Sequence, residues 1–273
     1  MPILVQSLAE WEAAGEEGLL SVVIPAHNEE GHIAETVTGL REALDKAEIP
    51  NEVLVVNDNS SDRTEEILRE MSEADPHVRY INNQPPNGFG FAVRAGLTQF
   101  KGAAVVIVMA DGSDDPNNVV AFARKWQEGH DCVFGTRFAR ESRIVDYPWF
   151  KLVLNRLGNW FIQILFMTSY NDATNAFKLY GRHVIAGCQP LLSHHFNLTV
   201  EIPLKAMVRG YSFAVVPNNW YNRKEGVSKF KVNELASRYL FIILYCWLEG
   251  RLSRADYKTG KELRESQLQV WSR

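Results

Sequence analysis

The 273-residue sequence contains few cysteines, no apolar run long enough to cross a bilayer and no basic leader at its N-terminus. Its three cysteines, Cys132, Cys188 and Cys246, are far apart and lack metal-ligand spacing. This excludes a disulfide framework and predicts buried thiols in a reducing compartment. The longest apolar run, residues 239–248, falls well short of the roughly 20 residues that a membrane-spanning helix needs. Because residues 1–18 are acidic and carry no long apolar core, we expect no signal peptide and a cytoplasmic protein, either free or at the cytoplasmic face of a membrane.

A glycine-rich phosphate loop directly after the first predicted strand is also absent, since that strand is followed by AHNEE. A separate glycine cluster at Gly88, Gly90 and Gly96 follows a proline-rich turn and has Val93 where the dinucleotide fingerprint requires its third glycine. These two observations disfavour a dinucleotide-dependent oxidoreductase and a nucleotidyltransferase.

Charge is distributed unevenly along the chain, although the net charge is only −4. Residues 1–121 contain 7 Lys and Arg against 21 Asp and Glu, whereas residues 122–273 contain 22 against 12. A basic second half suits phosphate groups or a lipid surface, while nucleic-acid binding would predict a basic chain throughout. We therefore expect no nucleic-acid partner.

Short apolar segments alternate with segments of helical periodicity. The predicted strands are residues 19–25, 52–56, 78–81, 104–109 and 131–136. Strands that alternate with helices predict an α/β fold with a mostly parallel sheet and right-handed crossovers.

The fourth of these strands ends abruptly in acidic residues. It is followed by Asp111, Ser113, Asp114 and Asp115, just before a helix that begins near Pro116. Ligands of open α/β sheets bind outside the carboxyl ends of strands, so this group could cradle a divalent cation and its phosphates. An acidic turn that only caps the following helix is the alternative.

Two apolar segments in the second half have two interpretations each. Residues 149–167 are predicted to form an amphipathic helix, whose apolar face either joins the core or meets an isoprenoid chain or bilayer. Residues 239–248 are bracketed by Arg238, Arg251 and Arg254, so they form either a helix in a membrane interface or one packed on the domain.

Six motifs, taken in their order along the chain, resemble the inverting family 2 glycosyltransferases, and in particular the dolichol-phosphate or polyprenyl-phosphate mannosyltransferase-like branch. The motifs are SVVIPAHNEE, VVNDNSSDRT, NGFGFAVRAG, VVIVMADGSDDP, FGTRF and WYNRKEGVSKF. The resemblance implies the GT-A fold over residues 19–231, with a Rossmann-like nucleotide-binding half and an acceptor half around one mostly parallel sheet. Residues 1–18 are then an N-terminal extension, and residues 232–273 a C-terminal amphipathic helix and polar tail.

The same resemblance implies a nucleotide pocket at the ends of the first two strands. Pro25, His27 and Glu29 would line it, with His27 against the base. Asp58 would accept a hydrogen bond from a uracil or guanine ring, a task that suits a group with acceptors only.

For the metal, the resemblance implies Mg²⁺ or Mn²⁺ at the acidic strand end. Met109 stands where the family has its first carboxylate, and a thioether is a poor ligand for these ions, so Asp111 would carry the contact. Ser113, Asp114 or Asp115 could assist. The diphosphate would also be neutralised by three cations in later loops, Arg137, Arg223 and Lys229.

The reaction implied is transfer of a hexose from GDP-mannose or a UDP-hexose to an acceptor, most readily a polyprenyl phosphate, with inversion at the anomeric carbon. A hydroxyl acceptor would need a general base, for which Asp172 and Glu201 are the candidate carboxylates of the acceptor half. A phosphate acceptor is already an anion, and these carboxylates would then position the sugar. The alternative is a non-catalytic protein of the same fold that binds a nucleotide sugar or a partner.

Overall fold

Runs of β-branched and aliphatic residues form a seven-stranded sheet in the computed structural model, which describes residues 15–221 and 232–253. The strands of this sheet are β1 (Glu16–Ala26), β2 (Asn51–Asn57), β3 (Val78–Asn82), β4 (Gly102–Ile107), β5 (Cys132–Thr136), β7 (Lys178–Gly181) and β8 (Phe213–Pro217). A second sheet consists of β6 (Ile144–Val145) and β9 (Trp220–Tyr221), which pair in parallel.

The described helices follow the strands in the alternating order that the sequence predicts. They are α1 (Ile33–Lys46), α2 (Thr64–Ala74), α3 (Phe89–Gln99), α4 (Pro116–Gln127), α5 (Trp149–Phe166), α6 (Arg182–Gly187), α7 (Leu198–Val208) and α8 (Val232–Leu252).

The strand order of the large sheet is β3-β2-β1-β4-β7-β5-β8. Only β7 runs antiparallel to its neighbours, β4 and β5, so the other six strands share one direction. The prediction of a mostly parallel α/β sheet is therefore confirmed.

Helices cover both faces of this sheet because its strands are apolar on both sides. Side chains of α1, α2 and α4 form one buried cluster with alternate residues of β1, such as Val22 and Ile24. Side chains of α3, α6, α7 and α8 form the other cluster on the opposite face, where Val23 points. The three cysteines are all buried and unbonded, as predicted.

Some boundaries differ from the sequence-based expectations. Strand β1 begins at Glu16 rather than residue 19, because the Glu16 N–H donates to the carbonyl of Lys101 at 2.9 Å. Helix α6 was not predicted, and residues 138–148, for which no strand was predicted, contain β6. The predicted apolar helix of residues 239–248 extends over α8, and the predicted polar tail of residues 255–273 lies outside the described residues.

The two alternatives for the C-terminal helix are resolved in part. Ile242, Ile243 and Cys246 of α8 are buried in the same cluster as α7, so one face of the helix packs on the domain. Of the two alternatives for α5, burial in the core holds only for Ile162 and its partly buried neighbours Leu165 and Phe166, since most of the large apolar side chains lie at the surface.

Candidate active site

The candidate site lies where the six parallel strands end. The loops after β1, β2, β4 and β5 all leave the sheet at this edge, and they carry most of the residues predicted for the site. In open α/β sheets, ligands bind in the crevice outside this edge.

The loops after β1 and β2 are fastened to each other. The Nδ1 atom of His27 lies 2.7 Å from the backbone oxygen of Asp58, and since a carbonyl only accepts, Nδ1 carries the proton. Asn28 adopts a left-handed conformation with φ of 57°. Its N–H donates to Ser60 Oγ at 3.0 Å, and its Oδ1 accepts from the N–H of Ser61 at 2.7 Å. His27 is exposed beside these contacts, so its ring is available to a planar ligand.

The other two residues predicted for this pocket lie on either side of His27. Pro25 is buried in β1, opposite Val56 of β2. The N–H of Glu29 donates to Thr64 Oγ1 at 2.9 Å, which ties the loop to the start of α2. The nucleotide contacts of both residues remain predictions.

Asp58 is almost fully buried and organises the loop that precedes α3. Its Oδ1 accepts from the side-chain amides of Asn83 at 2.7 Å and Asn87 at 3.0 Å. Its Oδ2 accepts from the N–H of Gly88 at 2.7 Å. An ionised carboxylate has about four lone-pair sites, so three are engaged and one remains for a ring N–H of a base. The predicted base contact is compatible with this geometry but is not tested by it.

Beyond the end of β4, Asp111 and Asp114 differ in their burial and in their hydrogen bonds. Asp111 is half-buried, and its Oδ1 accepts from the N–H of Ser113 at 3.2 Å. Asp114 is buried and accepts from the N–H of Met109 at 3.0 Å. Burial raises the pKa of Asp114 to about 7, the negative charge of Asp111 adds to the rise, and Arg137 opposes it. Asp114 therefore lies close enough to both Asp111 and Arg137 for each of them to affect its pKa.

Asp115 has the structural role that was the alternative for the acidic segment. Its Oδ1 accepts from the N–H of Asn117 at 2.9 Å, which makes Asp115 the N-cap of α4, and its Oδ2 accepts from Asn219 at 3.2 Å. Capping thus accounts for Asp115 but not for Asp111 or Asp114.

The donor set at this strand end fits a cation that takes most of its ligands from a diphosphate. Among residues 15–221 and 232–253, no three His, Cys, Asp or Glu side chains are grouped to hold a metal ion by themselves. Mg²⁺ is commonly bound by one or two carboxylates together with substrate phosphates and water. Asp111 supplies one carboxylate at the sheet edge, whereas Asp114 has one oxygen committed to the backbone of Met109.

The most strongly held pair in the site joins Arg137 at the end of β5 to Asp172. The Nε and Nη2 atoms of Arg137 donate to the two Asp172 oxygens at 2.9 and 2.7 Å, and the Arg137 backbone N–H adds a third bond at 2.9 Å. Asp172 is 0% exposed and Arg137 is 9% exposed. Burial alone would lower the pKa of Arg137, but the charge of Asp172 and its hydrogen bonds raise it above the ordinary value.

Glu201, the other predicted base, is also fully buried and paired. Its Oε1 lies 2.7 Å from the Nζ of Lys205, one turn further along α7. The same oxygen accepts from the N–H of Leu192 at 2.7 Å, and Oε2 accepts from the N–H of Ser193 at 2.6 Å. Glu201 therefore fastens the loop before α7 to that helix.

One buried cation near the site was missed by sequence reasoning. Lys178 in β7 is 0% exposed, and its Nζ donates to the carbonyls of Ala173 at 3.0 Å, Thr199 at 3.2 Å and Asn175. Burial lowers the pKa of Lys178 to about 7, against the opposing effect of Asp172. The available signal was a lysine inside the otherwise apolar segment AFKLY.

Two predicted phosphate-binding residues, Arg223 and Lys229, lie outside the described residues. Their predicted roles are therefore not addressed by the geometry.

Comparison with known proteins identifies the family. The sequence model of glycosyl transferase family 2 matches residues 21–193, which is more than half of the chain. The chain belongs to glycosyl transferase family 2. The predicted family is thus confirmed, and the glycosyltransferase interpretation is preferred over an oxidoreductase.

Two relatives match this family 2 glycosyltransferase over different shares of its length. An uncharacterized glycosyltransferase of Bacillus subtilis (strain 168), YkcC, is 40% identical over 122 residues. That match covers 45% of this chain and only 38% of YkcC, so the chain spans well under two thirds of that relative. The polyprenol monophosphomannose synthase of Mycolicibacterium smegmatis (strain ATCC 700084 / mc(2)155) is 28% identical over 240 residues, covering 86% of this chain and 89% of that protein.

Solved structures support the fold. The glucosyl-3-phosphoglycerate synthase of Mycobacterium tuberculosis, in complex with Mn²⁺, uridine diphosphate and phosphoglyceric acid, has a TM-score of 0.63 and 17% identity. The superposition covers 89% of this chain and 82% of that one. The same enzyme has also been solved with Mg²⁺ and uridine diphosphate, with a TM-score of 0.62. The predicted GT-A fold is confirmed by this similarity.

Proposed function

We propose that this family 2 glycosyltransferase moves a hexose from a GDP- or UDP-linked sugar to a polyprenyl phosphate, with inversion at the anomeric carbon. The bond from that carbon to the nucleoside diphosphate breaks while a bond to the acceptor phosphate oxygen forms on the opposite face. The protein would act in the cytoplasm, where a membrane-borne acceptor would be met at the cytoplasmic face of the bilayer.

The observation that carries the donor part of the proposal is the charge arrangement at the sheet edge. Asp111 and Asp114 follow β4 and Arg137 follows β5, so their loops leave the sheet at the same edge, and the charges of Asp111 and Arg137 both act on the pKa of the Asp114 carboxyl. Asp111 would hold a Mg²⁺ or Mn²⁺ ion together with the diphosphate, and such an ion neutralises the charge that develops on the leaving group. Asp58 keeps one lone-pair site for the base, and His27 presents an exposed ring beside it.

The proposal of a phosphate acceptor is supported by the hydrogen bonds and ion pairs of the two candidate bases. Asp172 has both oxygens engaged by Arg137, and Glu201 has both engaged by Lys205 and two backbone N–H groups. A carboxylate held in this way is poorly placed to accept a proton from a hydroxyl. A phosphate acceptor is ionised at neutral pH and needs no such base, which favours it over a sugar or glycerate hydroxyl. The similarity to a polyprenol monophosphomannose synthase over 86% of the chain points to the same acceptor.

A transfer assay with two labelled donors and matched acceptors tests the proposal. GDP-mannose and UDP-glucose are each incubated with a detergent-solubilised polyprenyl phosphate, with the unphosphorylated polyprenol, and with 3-phosphoglycerate, in the presence of Mn²⁺. We expect a polyprenyl-phosphate hexose from one donor and no product with the other two acceptors. Product from the phosphoglycerate alone would refute the acceptor assignment.

Two substitutions in the same acidic segment sharpen the test. Asp111→Asn removes the charge proposed to hold the metal and should lower the transfer rate by about 10²-fold or more, as losses of single transition-state contacts do. Asp115→Asn is the matched control, because asparagine caps a helix about as well as aspartate. Nucleotide binding without any transfer would instead favour a non-catalytic nucleotide-sugar-binding protein, the alternative that the sequence leaves open.

A further inference from the structure

Helix α5 is amphipathic, but its orientation is the reverse of that in an ordinary surface helix. Its large apolar side chains face solvent, and Trp149, Leu157 and Trp160 are 76%, 56% and 62% exposed. The other exposed apolar residues of the helix are Phe150, Val153, Leu154, Phe161 and Ile164. We call these eight side chains the apolar face of α5. Soluble monomers rarely leave contiguous apolar surface of this kind uncovered, so it marks an interaction surface.

The inward side of α5 combines the buried Ile162, which joins the core, with two asparagines that hydrogen-bond to a residue near Asp172. The side-chain amides of Asn155 and Asn159 donate to Thr174 Oγ1 at 2.8 and 3.1 Å. Asn159 is 1% exposed. Thr174 follows closely on Asp172, the partner of Arg137. Helix α5 is therefore anchored close in sequence to the Arg137–Asp172 pair.

The C-terminal helix adds to this apolar surface. Leu240, Leu244, Leu248 and Leu252 of α8 recur every fourth residue and are all exposed, as is Phe241. Helices α5 and α8 contact each other, and their C-terminal ends border a common cavity of about 840 Å³.

The exposed charges on these helices, where side chains are described, are of one sign. Helix α5 contains Lys151 and Arg156 and no acidic residue. Both cations lie in sequence among the exposed apolar residues, and Arg156 is exposed. On the described part of α8, Arg238 and Arg251 are exposed, whereas the carboxylate of Glu249 is buried against Arg209.

We propose that the apolar face of α5, extended by the exposed leucines of α8, docks on an anionic lipid bilayer. An apolar helix face bordered by Lys and Arg, with tryptophans among its side chains, fits the boundary between headgroups and acyl chains. Each cation within a Debye length of an anionic surface adds attraction. A second copy of the chain is a poorer occupant, because two such faces would bring like charges together.

The helix would lie in the membrane plane. Helix α5 has 18 residues and is about 27 Å long. Among the described residues, no helix combines the length and apolar character needed to span a membrane. The inference rests on the proposed function, because a polyprenyl phosphate is held in a bilayer, and it names the surface through which the enzyme would meet that acceptor.

Vesicle flotation of the full chain tests the proposal. The protein is floated with vesicles of phosphatidylcholine alone or of equal parts phosphatidylcholine and phosphatidylglycerol, at low and high salt. We expect flotation with the anionic vesicles that weakens as salt is raised. No flotation with anionic vesicles at low salt would overturn the proposal.

Matched variants locate the docking surface. Leu157→Glu places a charge in the centre of the apolar face and should weaken vesicle binding by about tenfold or more. Val215→Glu, at an exposed apolar residue of β8, is the control and should bind as the parent does. Equal binding by the two variants would overturn the assignment of the surface, and a stable dimer that Leu157→Glu dissociates would overturn the choice of a bilayer.

Other readouts separate this proposal from the proposed function. Circular dichroism and Tm establish that both variants are folded, and thermal shift with nucleotide reports the donor site. Transfer in detergent without vesicle binding would remove the docking proposal alone. Vesicle binding without transfer would support docking and remove the transfer proposal alone.

Discussion

Replacing Asp172 by asparagine separates a role in stability from a role as general base. The substitution keeps the shape of the side chain but removes its charge and places an NH₂ group against one of the Arg137 donors. Three hydrogen bonds from Arg137 are affected, and the guanidinium stays buried beside a neutral group. If Asp172 were chiefly a base, the substitution would reduce transfer and leave folding intact.

The magnitude follows from the burial of the pair. Removing one partner of a buried ion pair costs about 3–5 kcal/mol, since it leaves an uncompensated charge in a medium that solvates it poorly. Asparagine retains one acceptor oxygen, so we take the lower end, about 3 kcal/mol. Each kcal/mol lowers the Tm of a domain of this size by about 2–4 °C, so Asp172→Asn should lower Tm by roughly 6–12 °C.

Urea denaturation of the Asp172→Asn, Arg137→Gln and double variants gives the coupling between the two residues. We expect the double variant to lose clearly less stability than the two single losses combined, by about 1.5 kcal/mol or more, because neither charge is then left alone. A wild-type midpoint for Asp172→Asn, together with a large loss of transfer, would refute the structural role and restore Asp172 as a base.

Three further predictions rest on other residues. Glu201→Gln leaves its lysine partner buried without a counter-charge and should cost about 3–5 kcal/mol in urea denaturation; lost transfer at unchanged stability would contradict this. Because burial raises the pKa of Asp114 from 3.8 to about 7, its contribution to stability is present below about pH 4 and is lost as the pH rises through about 7. Asp114→Asn should therefore flatten that part of the pH dependence of stability in metal-free buffer, and an unaltered slope would refute the burial argument. Gly90→Ala would place its Cβ 2.3 Å from the carbonyl carbon of His194 and should cost about 1–3 kcal/mol, whereas the control Gly158→Ala meets no atom within 4 Å and should not destabilise the protein.

The alternating strands and helices could be predicted because each depends on residues close in sequence. Ile33, Val37, Leu40 and Leu44 recur at helical spacing, and all four are buried along α1. The antiparallel insertion of β7 between β4 and β5 could not be predicted in this way. Its place depends on pairing with strands from distant parts of the chain, about which local periodicity carries no information.

The sequence identified Asp172 and Glu201 as candidate bases but gave no information on their burial or ion pairing. The structure shows both carboxylates fully buried and paired. Their pairing with Arg137 and Lys205 decides what chemistry they can do. Arg137 is separated from Asp172 by 35 residues, so only the folded chain reveals that pair. The Glu201–Lys205 pair has the spacing of one helical turn, and this was a signal that sequence reasoning could have used.

Helix α5 shows why amphipathicity alone does not give orientation. A helical pattern divides the side chains into two faces, and the usual expectation places the apolar face inward. Here the amides of Asn155 and Asn159 donate to the half-buried Thr174, which offsets the cost of burying the Asn159 amide. The apolar face is then left at the surface, where only an external apolar phase can cover it.

The proposed transfer reaction and the proposed membrane docking both indicate a lipid-linked phosphate acceptor, although they rest on different residues. A site whose two candidate bases, Asp172 and Glu201, are both engaged in ion pairs favours an acceptor that brings its own negative charge. A surface that is apolar and bordered by Lys151 and Arg156 requires a partner that is apolar with an anionic boundary. A lipid-linked phosphate in a bilayer meets both requirements, whereas a water-soluble phosphate meets only the first and a neutral lipid only the second. Equal transfer rates to a water-soluble phosphate and to a lipid-linked phosphate would therefore contradict the proposal that the site and the apolar face serve the same acceptor. The result would leave the separate evidence for sugar transfer and for membrane docking unchanged.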